Sequence, residues 1–296
     1  MRFLSHTGLR AIWALLLSSA LFNIAVAAER TQLDGKLAQG ALVRGQTQGG
    51  SKVSLDGKAL RVTSDGRFVF GFDRDADAEH QLKIEYADGA SEQMPLTIAK
   101  QDYRISRIEG ISKKIMKPDP VAVARAKKDA QMVREARDTN SDLTAFTSHF
   151  IWPVTGRISG VYGSQRIYNG VPGRPHFGVD IARPTGTVVV APADGIITLA
   201  VPDMFYSGGT MIIDHGFGVS SSFLHLSKLY VKPGTQVKQG QKVAEVGATG
   251  RVTGPHLDWR INWYQMRLDP QSLVPSMVSV LSNNKDVGKA SNKAAN

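Results

Sequence analysis

The sequence predicts an all-β protein interrupted by one connecting helix. In the N-terminal third, Asp-Gly dipeptides at 56–57 and 65–66 separate short alternating apolar runs in "KVSLDGKALRVTSDGRFVFGF", a pattern typical of β-hairpins. Short runs rich in Val and Ile, separated by Gly and Pro, recur over residues 151–275. One stretch, at about 119–138, has instead the Ala, Lys, Arg and Glu content that favours a helix.

The first 27 residues have the pattern of a secretory signal peptide. Arg2 and Arg10 flank the start of the apolar run "AIWALLLSSALFNIAVA", which ends in the small-residue pattern Ala25-Val26-Ala27. Because this run is short for a membrane span, we expect cleavage after Ala27 rather than retention as an anchor. The mature protein is therefore expected in the periplasm or cell envelope, with no integral membrane span after cleavage.

The rest of the chain divides by composition. Residues 28–100 are predicted to form a small β-sandwich module, and residues 101–150 a linker that contains the helix. Asp119 and Pro120 provide an N-cap and a first-turn residue for that helix. Residues 151–282 are predicted to form a second β domain. The polar segment 283–296 is predicted to be a disordered tail.

The net charge and the cysteine content limit which partners and which metal ligands are expected. The chain has 36 Lys and Arg against 26 Asp and Glu, a formal net charge of +10. A basic exported protein favours an acidic polymer such as the cell wall, and nucleic acid is not an expected partner outside the cytoplasm. Because the chain has no Cys, any metal has to be bound by His and carboxylate side chains.

Three segments of the C-terminal domain carry clustered ionisable residues. They are "RPHFGVDIA" with His176 and Asp180, "SFLHLSKL" with His225, and "GPHLDWRI" with His256 and Asp258. The members of each pair are an even number of residues apart, so on strands they share a face. Three His or Asp ligands with one open position are typical of catalytic zinc sites. His215 in "IIDHG" is instead expected to be structural.

Residues 152–270 resemble the lysostaphin/LytM-like zinc metallopeptidases, which cleave peptide bonds in peptidoglycan. The matching runs, in the family's order, are "RPHFGVDIARPTGTV", "GGTMIIDHGFGVSSSFLHLS" and "VKPGTQVKQGQKVAEVGATGRVTGPHL". The resemblance implies that the C-terminal domain is a LytM-like β-sandwich of the barrel-sandwich hybrid type.

The resemblance also implies a site. The family's first two zinc ligands fall on His176 and Asp180. The histidine that stabilises the transition state falls on His225, and the histidine that assists the attacking water falls on His256. The third zinc ligand, a histidine in the family, falls on Asp258. Aspartate can bind zinc, but a second carboxylate makes the site more suitable for Mn²⁺ or another oxygen-preferring ion than the family's usual site.

These features predict an exported metalloendopeptidase that hydrolyses peptide bonds in peptidoglycan. The alternative is a catalytically inactive LytM-like domain that binds the cell wall or activates a separate amidase. "VKPGTQVKQGQKVAEVG" also resembles the hairpins of lipoyl and biotin carriers, but the residues around Lys238 lack the expected pattern and the carrier hypothesis leaves the His and Asp residues unexplained. Arg166, Tyr168 and Asn169 are candidates for lining a groove that binds an acidic wall peptide.

Overall fold

The computed structural model describes residues 30–110 and 119–282. The predicted signal peptide and the predicted tail lie outside the described residues. Within them no helix is both long enough and apolar enough to span a membrane. The all-β prediction is confirmed, since strands hold 44% of the residues and helices 13%. The described residues from Thr31 onward belong to one compact unit, and the domain boundaries given above stay a prediction.

The N-terminal part consists of short strands in two small sheets, ordered β1-β2-β5 and β4-β3-β6-β7. Apolar side chains between them, including Phe68, Phe70 and Leu82, form a core of their own. These strands, together with the following β8, are β1 Gln32–Asp34, β2 Leu42–Gln46, β3 Lys52–Leu55, β4 Lys58–Leu60, β5 Arg67–Gly71, β6 Glu79–Glu85, β7 Ser91–Thr97 and β8 Ile105–Ile108.

The first Asp-Gly dipeptide forms the hairpin turn that its sequence predicts. Asp56 and Gly57 connect β3 to β4, which pair in antiparallel register. Their φ angles are +48° and +75°, so both residues lie in the left-handed region. This is the requirement of a two-residue type I′ turn, and it explains why Asp-Gly stands there.

The predicted helix is present as α1, Pro120–Arg137. Asp119 caps it, because its carboxylate accepts a hydrogen bond from the backbone N–H of Val121 at 3.1 Å. The Asp129 carboxylate accepts a hydrogen bond from the backbone N–H of Phe205 at 2.7 Å. This contact fixes the helix against the C-terminal sheet.

The C-terminal part is built on a sheet that has ten strands within the described residues. Its main path is β17-β14-β15-β16-β19-β12-β9; β18 joins β16, β13 joins β18, and β20 joins β19. Separately, β10 pairs with β11 and, in parallel, with β8. The strands are β9 Arg157–Gly160, β10 Gln165–Tyr168, β11 Val171–Pro172, β12 Val179–Ala182, β13 Val188–Val190, β14 Gly195–Met204, β15 Gly208–Gly216, β16 Val219–Leu229, β17 Gln236–Val237, β18 Lys242–Val246, β19 His256–Trp263 and β20 Met266–Leu268.

His215 on β15 is fully buried and hydrogen-bonded at both ring nitrogens. Nδ1 lies 2.7 Å from the carbonyl oxygen of Asp194 and Nε2 lies 2.8 Å from Oγ of Ser221. Because a carbonyl can only accept, Nδ1 carries the hydrogen and Nε2 accepts from the Ser221 hydroxyl. Burial lowers the pKa of His215 to about 4.

This buried histidine predicts acid sensitivity of the fold. The unfolded chain takes up a proton at the ordinary histidine pKa of about 6.5, whereas the folded protein does so only near pH 4. Protonation then favours the unfolded state, so stability is lost as the pH falls between these values, by up to about 3 kcal/mol. Urea unfolding at pH 7.5 and pH 5 should show a smaller pH-dependent loss for His215→Asn than for the wild type. Equal losses of stability in the two proteins would show that another titrating group dominates the pH dependence.

Candidate active site

The site lies on one face of β19, where polar and apolar side chains alternate. Leu257, Trp259 and Ile261 point into the main core and are fully buried. Successive side chains of a strand point to opposite faces, so the intervening residues share the other face. They are His256, Asp258, Arg260 and Asn262.

Strand β12 brings a second carboxylate to this face. Asp180 lies directly opposite Asp258 in the antiparallel ladder between β12 and β19. Val179 and Ile181, on either side of Asp180, are buried in the core and fix its orientation. Two carboxylates directly opposite each other repel, so this register requires positive charge nearby.

Two glycines make room for these carboxylates. Gly160 pairs with Asp180 across β9 and β12, and a Cβ at Gly160 would fall 2.1 Å from Oδ2 of Asp180. A Cβ at Gly178 would fall 2.2 Å from Oδ1 of Asp258. Any side chain at either position would displace a carboxylate. Sequence reasoning missed Gly160, which belongs to the packing of the site.

His176 faces Asp180 in a close ion pair. Its Nε2 lies 3.1 Å from Oδ1 of Asp180; both atoms are buried, and among the described residues neither makes a hydrogen bond of good geometry. Burial works to lower the pKa of His176, but its contact with Asp180 and the charge of Asp258 outweigh it and raise the pKa. Two buried ligand atoms that face each other, with no further partner in this part of the chain, suit a metal-binding pair.

The donor set fits a divalent metal ion. One ligand atom each from His176, Asp180 and Asp258 lie within 4.8 Å of one another. Zinc bonds of about 2.0–2.2 Å in a tetrahedron place neighbouring ligand atoms about 3.3 Å apart. The 3.1 Å between His176 and Asp180 is close to that value. The structure thus brings together all three predicted ligands, with one histidine and two carboxylates.

Arg260 is the site residue that sequence reasoning missed. Its Nε donates to Oδ1 and Oδ2 of Asp258 at 2.9 and 3.1 Å, and its Nη2 donates to Oδ2 at 2.5 Å. Asp258 is only 2% exposed. Burial alone would raise its pKa, but the Arg260 guanidinium holds the pKa of this carboxyl below its usual range. The available signal was the i,i+2 spacing, which places Arg260 beside Asp258 on the strand face.

The other two predicted histidines meet beside the metal ligands. The rings of His225 and His256 have centroids 4.9 Å apart. His225 has a φ of +66°, uncommon for a residue other than glycine, and this breaks the alternation of β16. His256 Nε2 lies 3.8 Å from Oδ1 of Asp180. Together with the three candidate ligands, all five predicted site residues therefore lie in one cluster.

Backbone carbonyls fix the orientation of both rings. Nδ1 of His225 lies 2.9 Å from the carbonyl oxygen of Thr249, and Nδ1 of His256 lies 2.8 Å from that of Gly254. Because carbonyls only accept, both Nδ1 atoms carry hydrogen and the neutral rings keep a free lone pair on Nε2. Burial lowers the pKa of His225 and favours its neutral form.

A groove of about 490 Å³ is lined by His176 and Asp180, whereas His225, His256 and Asp258 are not part of its lining. Arg166 and Tyr168, predicted to line such a groove, do line it, whereas Asn169 does not. Its basic side chains are Arg104, Arg166, Arg174, Arg260 and Arg267. The groove beside the site is therefore strongly cationic and suited to an anionic ligand.

Comparison with known families decides which class of domain this is. Residues 174–270, which hold all five site residues, match peptidase family M23. The M23 match covers about a third of the chain. The resemblance to the lysostaphin/LytM-like group is thereby confirmed at the level of the family.

Two similar proteins are named as peptidoglycan endopeptidases. The chain is 37% identical over 134 residues to the peptidoglycan DD-endopeptidase ShyB of Vibrio cholerae, and 42% identical over 87 residues to ShyA of the same organism. The matches cover 45% and 29% of this chain, but only 28% and 20% of those relatives. This chain therefore spans less than a third of the length of these two relatives.

A solved structure extends the likeness beyond the M23 domain. The crystal structure of a putative peptidase M23 from Pseudomonas aeruginosa has a TM-score of 0.62 and 27% sequence identity. The alignment covers 81% of this chain and 95% of that one. Because the M23 match alone spans residues 174–270, part of the region before it shares the fold too.

Proposed function

We propose that this protein is an exported metalloendopeptidase that hydrolyses peptide bonds in peptidoglycan. The observation that carries the proposal is the buried pair of ligand atoms on His176 and Asp180, 3.1 Å apart and close to a ligand atom of Asp258, with two histidines beside them. The names of the relatives from Vibrio cholerae support peptidoglycan as the substrate. The basic groove supports an acidic wall peptide as the bound chain.

His176, Asp180 and Asp258 would hold the metal. A divalent ion there would polarise a peptide carbonyl and acidify water. His256 then acts as the base, because its Nδ1–H is committed to the Gly254 carbonyl and its Nε2 lone pair is free to accept a proton from water. The backbone contact holds that lone pair in place before the substrate arrives.

His225 stabilises the negative charge that develops on the carbonyl oxygen of the substrate. Its Nδ1–H is bonded to the Thr249 carbonyl, so only a proton on Nε2 can be donated to that oxygen. The role therefore requires the ring to be protonated as the charge develops. His256, with its ring 4.9 Å away, is placed to supply that proton after taking it from water.

Arg260 bears on the choice of metal. Two carboxylates alone would cancel the charge of a divalent ion and make water in the site less acidic. The guanidinium paired with Asp258 offsets one of them, so the total charge equals that of a site with one carboxylate. We therefore favour zinc, with Mn²⁺ or another divalent ion as the alternative that Asp258 allows.

One observation favours the second candidate function, an inactive domain that binds the wall or activates a separate amidase. Both oxygens of Asp258 accept hydrogen bonds from Arg260, which competes with metal binding. However, a carboxylate has about four lone-pair sites, and Arg260 uses three of them. The remaining capacity leaves Asp258 able to serve as a ligand.

Digestion of purified sacculi separates these functions. The protein from residue 28 onward is incubated with sacculi, with and without a chelator, and released muropeptides are separated by chromatography. We expect release that stops with chelator, returns with zinc or Mn²⁺, and is absent from His256→Ala. No release under any added metal would reject the peptidase and leave the binding or activating role.

A further inference from the structure

A second cavity lies between α1 and the polar face of β16, β19 and β20. Its volume is about 250 Å³. Five arginines line it, together with Ser222 and one carboxylate, Asp129, which accepts the backbone N–H of Phe205. The arginines are Arg134, Arg137, Arg174, Arg260 and Arg267.

Arg137 is the unusual member of this group. It is the last residue of α1 and only 6% exposed. Its Nη2 donates to Oγ of Ser222 at 3.1 Å, and its Nε is buried with no hydrogen-bond partner in the part of the chain that the structure describes. No carboxylate among the described residues forms an ion pair with it. A buried charge without a counter-charge is costly, so an anion at this place would satisfy it.

The register of the strands places Arg260 and Arg267 close to Arg137. Ser222, which binds Arg137, pairs with Arg260 across β16 and β19. Arg267 pairs with Asn262, two residues further along β19, so Arg260 and Arg267 are diagonal neighbours on one face. The guanidinium of Arg267 lies 4.8 Å from the centre of the Phe177 ring.

The positive charges of this cluster are poorly compensated. Arg260 is paired with Asp258, whereas Arg137, Arg174 and Arg267 form no ion pair with any carboxylate in the described part of the chain. Burial, together with the charges of Arg267 and Arg260, lowers the pKa of Arg137 to about 9. Beside this cavity, three guanidinium groups thus lack a carboxylate partner among the described residues.

The cavity adjoins the groove of the candidate active site. Arg174, Arg260 and Arg267 line both spaces, and the groove also contains His176 and Asp180. A peptide that lies in the groove can therefore place an acidic group in the cavity. Guanidinium groups bind carboxylates through two parallel hydrogen bonds.

We propose that the cavity formed by Arg137, Arg174, Arg260 and Arg267 binds a free carboxylate of the substrate peptide. This assignment rests on the proposed function for the identity of the peptide, but the anion site itself does not depend on hydrolysis. It makes the protein selective for wall peptides with unmodified carboxylates over peptides in which these groups are amidated.

Kinetics with two peptides test the selectivity. We compare a wall peptide bearing free carboxylates with its amidated form, using wild type, Arg137→Met and the control Lys128→Met. Lys128 is exposed on the same helix and does not line the cavity, so its change removes the same charge elsewhere. We expect Arg137→Met to raise KM for the free peptide about tenfold or more, with kcat little changed and KM for the amidated peptide unchanged. An equal effect on both peptides would overturn the proposal.

A binding measurement distinguishes failure of this site from failure of the proposed function. Calorimetry on the chelated, metal-free protein measures the affinity for the two peptides and for inorganic phosphate. Binding of the free peptide, weakened in both Arg137→Met and Arg267→Met, supports the site even if sacculi are not digested. If sacculi are digested but the metal-free protein binds both peptides equally, only the carboxylate site is overturned. Tighter binding of phosphate than of the peptide would also overturn it.

Discussion

Replacement of His225 by alanine is expected to lower the turnover of a peptide substrate about 100- to 1,000-fold while the affinity for the metal stays unchanged. The reason is geometric. His225 belongs to the pair of rings whose centroids are 4.9 Å apart, but it is not one of the three residues that provide a ligand set. Its loss removes a donor to the developing negative charge and leaves the metal ligands in place. Turnover and metal content are measured on the same preparation.

The matched variant is His176→Ala, which should lose both metal and turnover because it removes a ligand. Unfolding curves of the two variants in chelator establish that both fold. Loss of metal from His225→Ala would assign His225 to the ligand set. Unchanged turnover in His225→Ala would remove it from the chemistry altogether.

Strand periodicity was enough to predict the part of the site that lies on strands. Asp180, His256 and Asp258 lie on β12 and β19, and the sheet places them on one polar face. His176 was expected on the strand of Asp180, but it precedes β12 and approaches Asp180 from the preceding loop. The helix is another example, because Asp119 and the composition after it determine its start without help from tertiary contacts. Local patterns of this kind are readable from sequence alone.

What the sequence did not reveal depends on pairing between distant segments. The need for glycine at Gly160 arises from its register with Asp180. The cation cavity forms because α1 ends with Arg137 against Ser222, 85 residues later in the chain. The role of Arg260 follows from the burial of its partner Asp258, which is 2% exposed. Such contacts follow from strand order and register, which hydrophobic patterning does not specify.

Arg260→Met is expected to destabilise the metal-free protein by about 3–5 kcal/mol. Asp258 is 2% exposed and lies opposite the carboxylate of Asp180, so removal of the guanidinium leaves two facing carboxylates without compensation. Urea unfolding in chelator measures the loss. The double variant Asp258→Asn with Arg260→Met is the control, since it removes both charges and should recover much of the stability. Wild-type stability of Arg260→Met without metal would contradict the pairing.

The same variant decides whether Asp258 is a metal ligand. A ligand that binds only the folded protein stabilises it in proportion to the logarithm of its concentration over the dissociation constant. If Asp258 binds the ion, zinc offsets the negative charge of Asp258 in place of Arg260. Zinc should then stabilise Arg260→Met more than it stabilises the wild type. If Asp258 is bound by Arg260 alone, the stabilisation by zinc should be equal in both. The equal result, combined with intact sacculi, would identify the Asp258–Arg260 pair as a structural replacement for a lost ligand.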